Sequence, residues 1–492
     1  MASRSESVRR VALGVAVTTA LAISVVAWQS TLLGEYSVMD MGGSPDVPGV
    51  HAHGTGAAAG PTGVSVTSLT ADPAREADVR IELVARAERI EIPGGRSVDG
   101  YTVNGSSPGP VIRARQGDRV EVTFVNESVA DGATLHWHGV DVPNAADGVA
   151  GITQDAVPVG GRHVYRFDAV DPGTYWYHSH QVSHEQVERG LLGALIVEPA
   201  ESHSDEAVTE SVALLHVYGG QHTLNGRVED AIVDAEPGSV VRVRVINTDQ
   251  GTAAVWSAAP FRVVAIDGHE VNEPTDVQGE RMLIPAGGRA DVAVRVPPRG
   301  AVRLHVGGAR SVLIGDPHAS VDRSSQPSES LDLLAYGAPT ALEFDPAAAD
   351  RTFDYVIGRR FGIIDGRPGN FWTINGRLFP DIPMFHVREG DIVVMRIRND
   401  TGEVHPMHLH GHHVVVLSRD GEAASGSPWW VDSLDLHPSE SYTIAFVADN
   451  PGIWSDHCHT LPHAVDGLVA HLMYEGVSTP FTINGAMGNQ PE

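Results

Sequence analysis

The chain has one cysteine in 492 residues, Cys458, and it lies between two histidines in the stretch from Pro451 to Leu468, PGIWSDHCHTLPHAVDGL, where His463 follows His459 by four positions. A thiolate with imidazoles suits copper or zinc. A lone cysteine cannot build the Cys-rich cage of structural zinc, so a trigonal site of two histidines and one cysteine holding copper is the better reading. If the stretch is extended, alternation sends Cys458 to one face and His457 and His459 to the other. One strand then serves two metal sites, back to back.

Paired histidines recur elsewhere: His136-Trp137-His138-Gly139, His178-Ser179-His180, and His405-Pro406-Met407-His408-Leu409-His410-Gly411. With 25 histidines in the chain, roughly one H-x-H is expected by chance, so a single pair carries little. The ordered set HxHG, HxH, HxxHxHG and HCHxxxH, split between the two ends of the chain, is a specific signal.

These residues must be held by strands, and an internal repeat supplies them. The segments from Tyr101 to Asn126, His222 to Asn247 and Trp372 to Asn399 share one plan: a T-x-N-G turn, a Gly-led bend, then an alternating strand ending at Asn. In the first, Val120, Val122 and Phe124 alternate with Arg119, Glu121 and Thr123, and in the second Val241, Val243 and Val245 alternate with Arg242 and Arg244. Period two with a polar face marks the half-buried strand of a sandwich. Three copies imply an all-β chain of three β-sandwich domains, at about 79–200, 201–330 and 340–480, with the polar stretch from His318 to Ser330 as a linker.

A second internal alignment sets the segment from Pro172 to Pro199 against that from Pro451 to Gly476, with histidines in step. Ser179 then falls at Cys458, His184 at His463, and Ala133 at His405. The first domain therefore lacks the thiolate and one imidazole of a mononuclear site, and His184 reads as a leftover or an outer group. The middle domain has no H-x-H. One mononuclear site belongs to the third domain, and the pairs of the first and third can face each other across an interface.

Composition sets the frame. The length fits about three domains of roughly 150 residues, and 53 Gly with 31 Pro favour a turn-rich β protein. A formal charge of −28, with every basic residue an arginine, argues against nucleic acid as a partner. One cysteine excludes an intramolecular disulfide, so export must be read from the N-terminus. Arg4, Arg9 and Arg10 precede an apolar run from Val11 to Trp28, which reads as a signal peptide or membrane anchor over residues 1–28. Residues 29–78, rich in Gly, Ala, Ser, Thr and Pro, read as a flexible tether, with Met39, Met41, His51 and His53 as chance residues or as copper carriers.

The four histidine motifs, in this order, resemble those of the three-domain multicopper oxidases, laccase-like branch, over about residues 79–480. The resemblance implies cupredoxin-like Greek-key domains and four copper ions. It assigns His405, Cys458 and His463 to a type 1 copper, His136 and His408 to a type 2 copper, and His138, His178 and His459 with His180, His410 and His457 to a type 3 pair. It places Leu468, which cannot coordinate, at the axial position of the type 1 copper, and Asp147 at the position of the proton-relay carboxylate. Electrons would pass from Cys458 through its covalent neighbours His457 and His459. The implied activity is one-electron oxidation of phenols or aromatic amines coupled to reduction of O2 to water, in an exported, surface-bound or secreted enzyme. The alternatives are a metallo-oxidase of Cu(I), Fe(II) or Mn(II), and a non-catalytic copper-binding or cell-envelope protein. Asp432, Asp435 and Asp456 read as a solvated face, or as a metal-ion approach in the metallo-oxidase case.

Overall fold

A computed structural model describes residues 12–25, 38–41, 51–52, 63–201, 209–364 and 366–492. Strands pair into three successive two-sheet sandwiches, each built on one copy of the repeat. In the first, the strands Val98–Val103, Val79–Ile90, Arg119–Asn126 and Arg162–Asp168 lie side by side, and the facing sheet runs Ile112–Arg115, Leu192–Glu198, Gly173–His178, His136–His138. The second sandwich, from Thr209 to Gly315, has sheets of six and five strands, and the third, from Arg351 to Tyr474, repeats the plan of the first.

The repeat has a physical cause in each copy. Asn104-Gly105, Asn225-Gly226 and Asn375-Gly376 all have positive φ, between 52° and 80°, the conformation that Asn-Gly supplies in a tight hairpin turn. Each turn asparagine also accepts a backbone hydrogen bond, from Val84, Leu214 and Val356 at 2.7, 2.9 and 2.8 Å. The closing asparagines, Asn126, Asn247 and Asn399, are fully buried. Their side-chain amides donate to loop carbonyls such as Val129, Gly251 and Glu403 and so lock the chain where it leaves the strand.

The polar faces of the repeat strands are less solvated than alternation implies. Arg119 is buried against Asp168. Arg244 is buried where the second sandwich meets the first, donating to Asp291 and Thr174 at 2.8 and 2.9 Å. A buried charge must be paired, and these are.

The expected tether over 29–78 needs correction. Met39–Asp40 is a strand, parallel to His51–Ala52 and antiparallel to Thr482–Ile483, and Met39 and Met41 are buried in an apolar cluster with Ile453, Met473 and Ile483. Val64–Ser65 pairs with Val477–Ser478, and Val66 is buried. Apolar side chains in a Gly-rich stretch found a surface to cover, which composition does not reveal. His53 lies outside the described residues. Residues 12–25 are helical with exposed side chains, while the rest of the expected leader lies outside the described residues. Among the described residues no helix is long and apolar enough to cross a membrane.

Candidate metal centre

Two strand pairs carry the histidines. In the third sandwich His405–Leu409 runs antiparallel to Ile453–Cys458, with Met407 opposite Cys458 and His408 opposite His457. In the first, His136–His138 runs antiparallel to Gly173–His178, with His136 opposite His178. Both pairs are internal to their sheets, and every residue from Ile453 to Cys458 is buried.

Cys458 points to one cluster and its neighbours to others. Cys458 Sγ lies 3.8 Å from His405 Nδ1 and 3.7 Å from His463 Nδ1, and those two nitrogens are 3.1 Å apart. On the other side His457 joins His180 and His410, with Nε2 to Nε2 distances of 3.4 and 3.2 Å. His459 joins His138 and His178, and His136 joins His138 and His408. In each group the potential ligand atoms fall within 4.8 Å of one another. The rings of His136 and His410 stack at 3.7 Å, as do those of His138 and His408.

The outer nitrogens explain why the inner ones converge. His136 Nδ1 and His408 Nδ1 face the backbone carbonyls of Asp147 and Asp432 at 3.0 and 2.9 Å, and His178 Nδ1 faces the carbonyl of Ser179 at 2.9 Å. A carbonyl only accepts, so each Nδ1 carries the proton and the Nε2 lone pair turns inward. His410 Nδ1 is held by the Asp147 carboxylate at 3.2 Å. His405 is fixed from the opposite edge: its Nε2 bonds Thr401 Oγ1 at 2.9 Å, which frees Nδ1 toward Cys458. Fixing the outer nitrogen of a ligating histidine sets its tautomer and orientation.

Electrostatics agrees. Burial, reinforced by neighbouring imidazoles, holds His138, His178, His180, His410, His457 and His459 well below the ordinary histidine range. Burial and His463 bring His405 down to about 3. These rings are neutral and their lone pairs are available. Burial pushes the Cys458 thiol up, so only a cation at that point favours its thiolate. His178 Nε2 and both nitrogens of His459 are buried without a partner. Neutral, convergent, unpartnered nitrogens with one soft sulfur fit copper.

Asp147 sits in the turn after HWHG. It is fully buried, with Oδ1 3.1 Å from His136 Nδ1 as well as its contact to His410. The turn requires Gly148: its φ is +78°, and a Cβ there would stand 1.8 Å from the Leu135 carbonyl. Leu468 is fully buried in the same apolar cluster as Cys458. Ser179, at the place of Cys458 in the first sandwich, instead donates to Gln186 at 2.7 Å.

The carboxylates read as a solvated face are all buried, which corrects that expectation. Asp432 receives two bonds of 2.6 Å from Arg289 and touches His138 Nε2 at 3.2 Å. Asp435 accepts from Thr252 at 2.6 Å, and burial raises it to about 6. Asp456 is raised to about 7 by burial. Composition cannot tell a buried carboxylate from an exposed one when its partner belongs to another domain.

The middle sandwich, which has no expected ligand, still builds the site. Gly287 has φ +83°, and a Cβ there would meet His138 and His459 at 2.8 and 2.9 Å. Asp267 accepts from the backbone of Arg289, Asp432 and Ser433. None of these carries a sequence motif. Thr401 and Glu403, close before His405 in the chain, are within reach of a sequence reading that asks what orients a ligand.

A mononuclear His2Cys cluster beside a multi-histidine cluster, on cupredoxin-like sandwiches, defines a copper protein with an outer and an inner centre. Two matches to the multicopper oxidase family, at residues 85–202 and 359–476, agree with the site. The chain is 28% identical over 481 residues to the multicopper oxidase MmcO of Mycobacterium tuberculosis, covering 85% of this chain and 91% of that one. It is 27% identical to Laccase-1 of Botryotinia fuckeliana, covering 78% and 80%. Among solved structures, a multi-copper oxidase from Pseudomonas thermotolerans is 29% identical with a TM-score of 0.66, covering 80% of this chain and 98% of that one. The chain belongs to the multicopper oxidase family. It is an oxidoreductase whose cofactors are four copper ions: one type 1, one type 2 and a type 3 pair.

Proposed function

We propose that the chain is a laccase-like oxidase, in which phenols or aromatic amines give up single electrons at a type 1 copper held by His405, Cys458 and His463. O2 is reduced to water at a cluster held by His136 and His408, by His138, His178 and His459, and by His180, His410 and His457. One observation carries the reading: Cys458 and its two covalent neighbours point into different clusters. When bound, the coppers supply the one-electron acceptor and the centre where O2 is reduced.

The chain's own residues do the rest. His463 is the most exposed of the ligand set, its side chain 16% open, and offers the edge a donor can approach. The Trp372 ring packs against His405 and His463 with centroids at 4.6 and 4.8 Å and shields the thiolate side from water. The peptide bonds from Cys458 to His457 and His459 give electrons a covalent path. Asp147, bonded to two inner imidazoles, is the acid placed to hold and pass a proton.

A second reading, oxidation of a metal ion, is favoured by Glu403, whose carboxylate stands 3.4 Å from His463 Nε2. Oxygen uptake by the copper-loaded protein separates the two. Uptake driven by 2,6-dimethoxyphenol supports the first reading, and uptake with Fe(II) or Cu(I) alone moves the assignment to the second. The basic residues before the apolar run support export, as a secreted or membrane-anchored enzyme; fractionating cells that produce the full chain tests it, and retention in the cytosol would refute it.

A further inference from the structure

A cavity of about 340 Å³ lies between the second and third sandwiches and opens to solvent beside the exposed His437. Its walls are apolar, with Met282, Leu283 and Ile284 on one side and Trp429 and Tyr442 on the other. The two aromatic rings meet edge to face at 6.2 Å, a surface on which a third ring stacks well.

Two buried polar atoms on this cavity's walls have no partner. Asp435 Oδ1 is unbonded although its other oxygen accepts from Thr252, and Trp429 Nε1 is a donor without an acceptor. An unmade bond at a buried polar atom costs about 1–3 kcal/mol, so a ligand that satisfies both is favoured. One atom accepts and the other donates, and a hydroxyl does the complement of both. Volume, aromatic wall and hydroxyl complement describe one class of molecule, a small phenol.

The position gives the site a role. Asp435 lies opposite Pro406, and Leu436 opposite His405, in the antiparallel pair that continues the sheet of Cys458. A molecule bound at Asp435 thus stands one strand away from the His405 side of the mononuclear site, away from the exposed His463 edge.

We propose that this inter-sandwich cavity is a binding site for a phenol, with its ring against Trp429 and Tyr442 and its hydroxyl between Asp435 and the Trp429 indole. The proposal rests on the reading of the chain as a phenol oxidase for its role, and on the cavity alone for the binding. Leu283→Trp fills the space from a half-buried position, Trp429→Phe removes the N–H and keeps the ring, and Asp435→Asn changes the acceptor. The test is calorimetric titration of 2,6-dimethoxyphenol into the anaerobically reduced, copper-loaded full chain, where no turnover occurs.

Leu283→Trp is expected to weaken binding more than about tenfold, and Trp429→Phe and Asp435→Asn about fivefold each. In turnover, KM for the phenol rises in Leu283→Trp while that for hexacyanoferrate(II), which needs no cavity, stays unchanged. Wild-type phenol affinity in Leu283→Trp and Trp429→Phe, with their blue colour intact, overturns the site and leaves the oxidase reading standing. Phenol binding lost in the variants but never oxidised by the wild type supports the site and overturns the oxidase reading.

Discussion

Arg289 of the second sandwich grips Asp432 of the third through two bonds of 2.6 Å each, and the same carboxylate touches His138 of the first. All three sandwiches are thereby tied together at the inner cluster. Both charges are fully buried, and such a pair loses roughly 3–5 kcal/mol when one partner is removed. Arg289→Leu should therefore lower the melting temperature and loosen copper at the inner cluster while the blue absorption of the mononuclear site persists. Thermal melts with a copper count on the same sample check it; unchanged melting and full copper content would contradict it.

Asp147→Asn keeps the turn and the size of the side chain but removes a carboxylate that contacts His136 and His410. Loss of a positioned acid costs on the order of 10²-fold or more. Reoxidation of the reduced enzyme by O2 should slow by about that factor, with the blue band unaltered. Stopped-flow reoxidation over a range of pH measures it, and a wild-type rate throughout would exclude the role.

Leu468 is buried beside Cys458 and offers no donor atom. Leu468→Met introduces a thioether at that position and should lower the potential of the mononuclear copper. A redox titration following the blue band gives the answer; no change, or a rise, would remove Leu468 from the account.

His413 is buried between two carboxylates, 3.4 Å from Asp141 and 3.3 Å from Asp432. Burial alone would push it down, but Asp141 first and Asp432 with it carry it up to about 10, and the neighbouring His269 and His412 do not reverse this. Its folded pKa is above the unfolded one, so its contribution is complete below about pH 6.5 and is lost as the pH rises through about 10. Stability should fall over that window by on the order of a few kcal/mol, and His413→Gln should flatten the slope. Denaturant melts at several pH values test this, and an identical slope in the variant would refute it.

The ends of the chain's repeats were legible because a turn that needs Asn-Gly and a strand that needs alternation leave their marks in adjacent residues. The strands Arg119–Asn126, Val240–Asn247 and Ile392–Asn399 each stop at the asparagine that closes the repeat. The histidine clusters were legible for a similar reason, since a ligand pair on one strand has a fixed spacing. Arg289, Asp267 and Asp432 were not. They are single charged residues whose partners lie in another sandwich, as far apart as 143 positions, and no local pattern distinguishes them from surface charge. Gly287 is silent in the same way, because what it avoids is a side chain from elsewhere. The burial of Met39 and Met41 depends on the strand Thr482–Ile483 at the opposite end of the sequence.

The optical spectrum of the copper-loaded protein, recorded beside that of Cys458→Ser, tests the central assignment most directly. An intense blue thiolate band with four coppers per chain is expected in the first. In the variant the band should vanish while three coppers remain on the histidine cluster. A copper-loaded wild type without the band, or a variant that keeps it, would mean that Cys458 is not a copper ligand and that the site is not the electron acceptor described here.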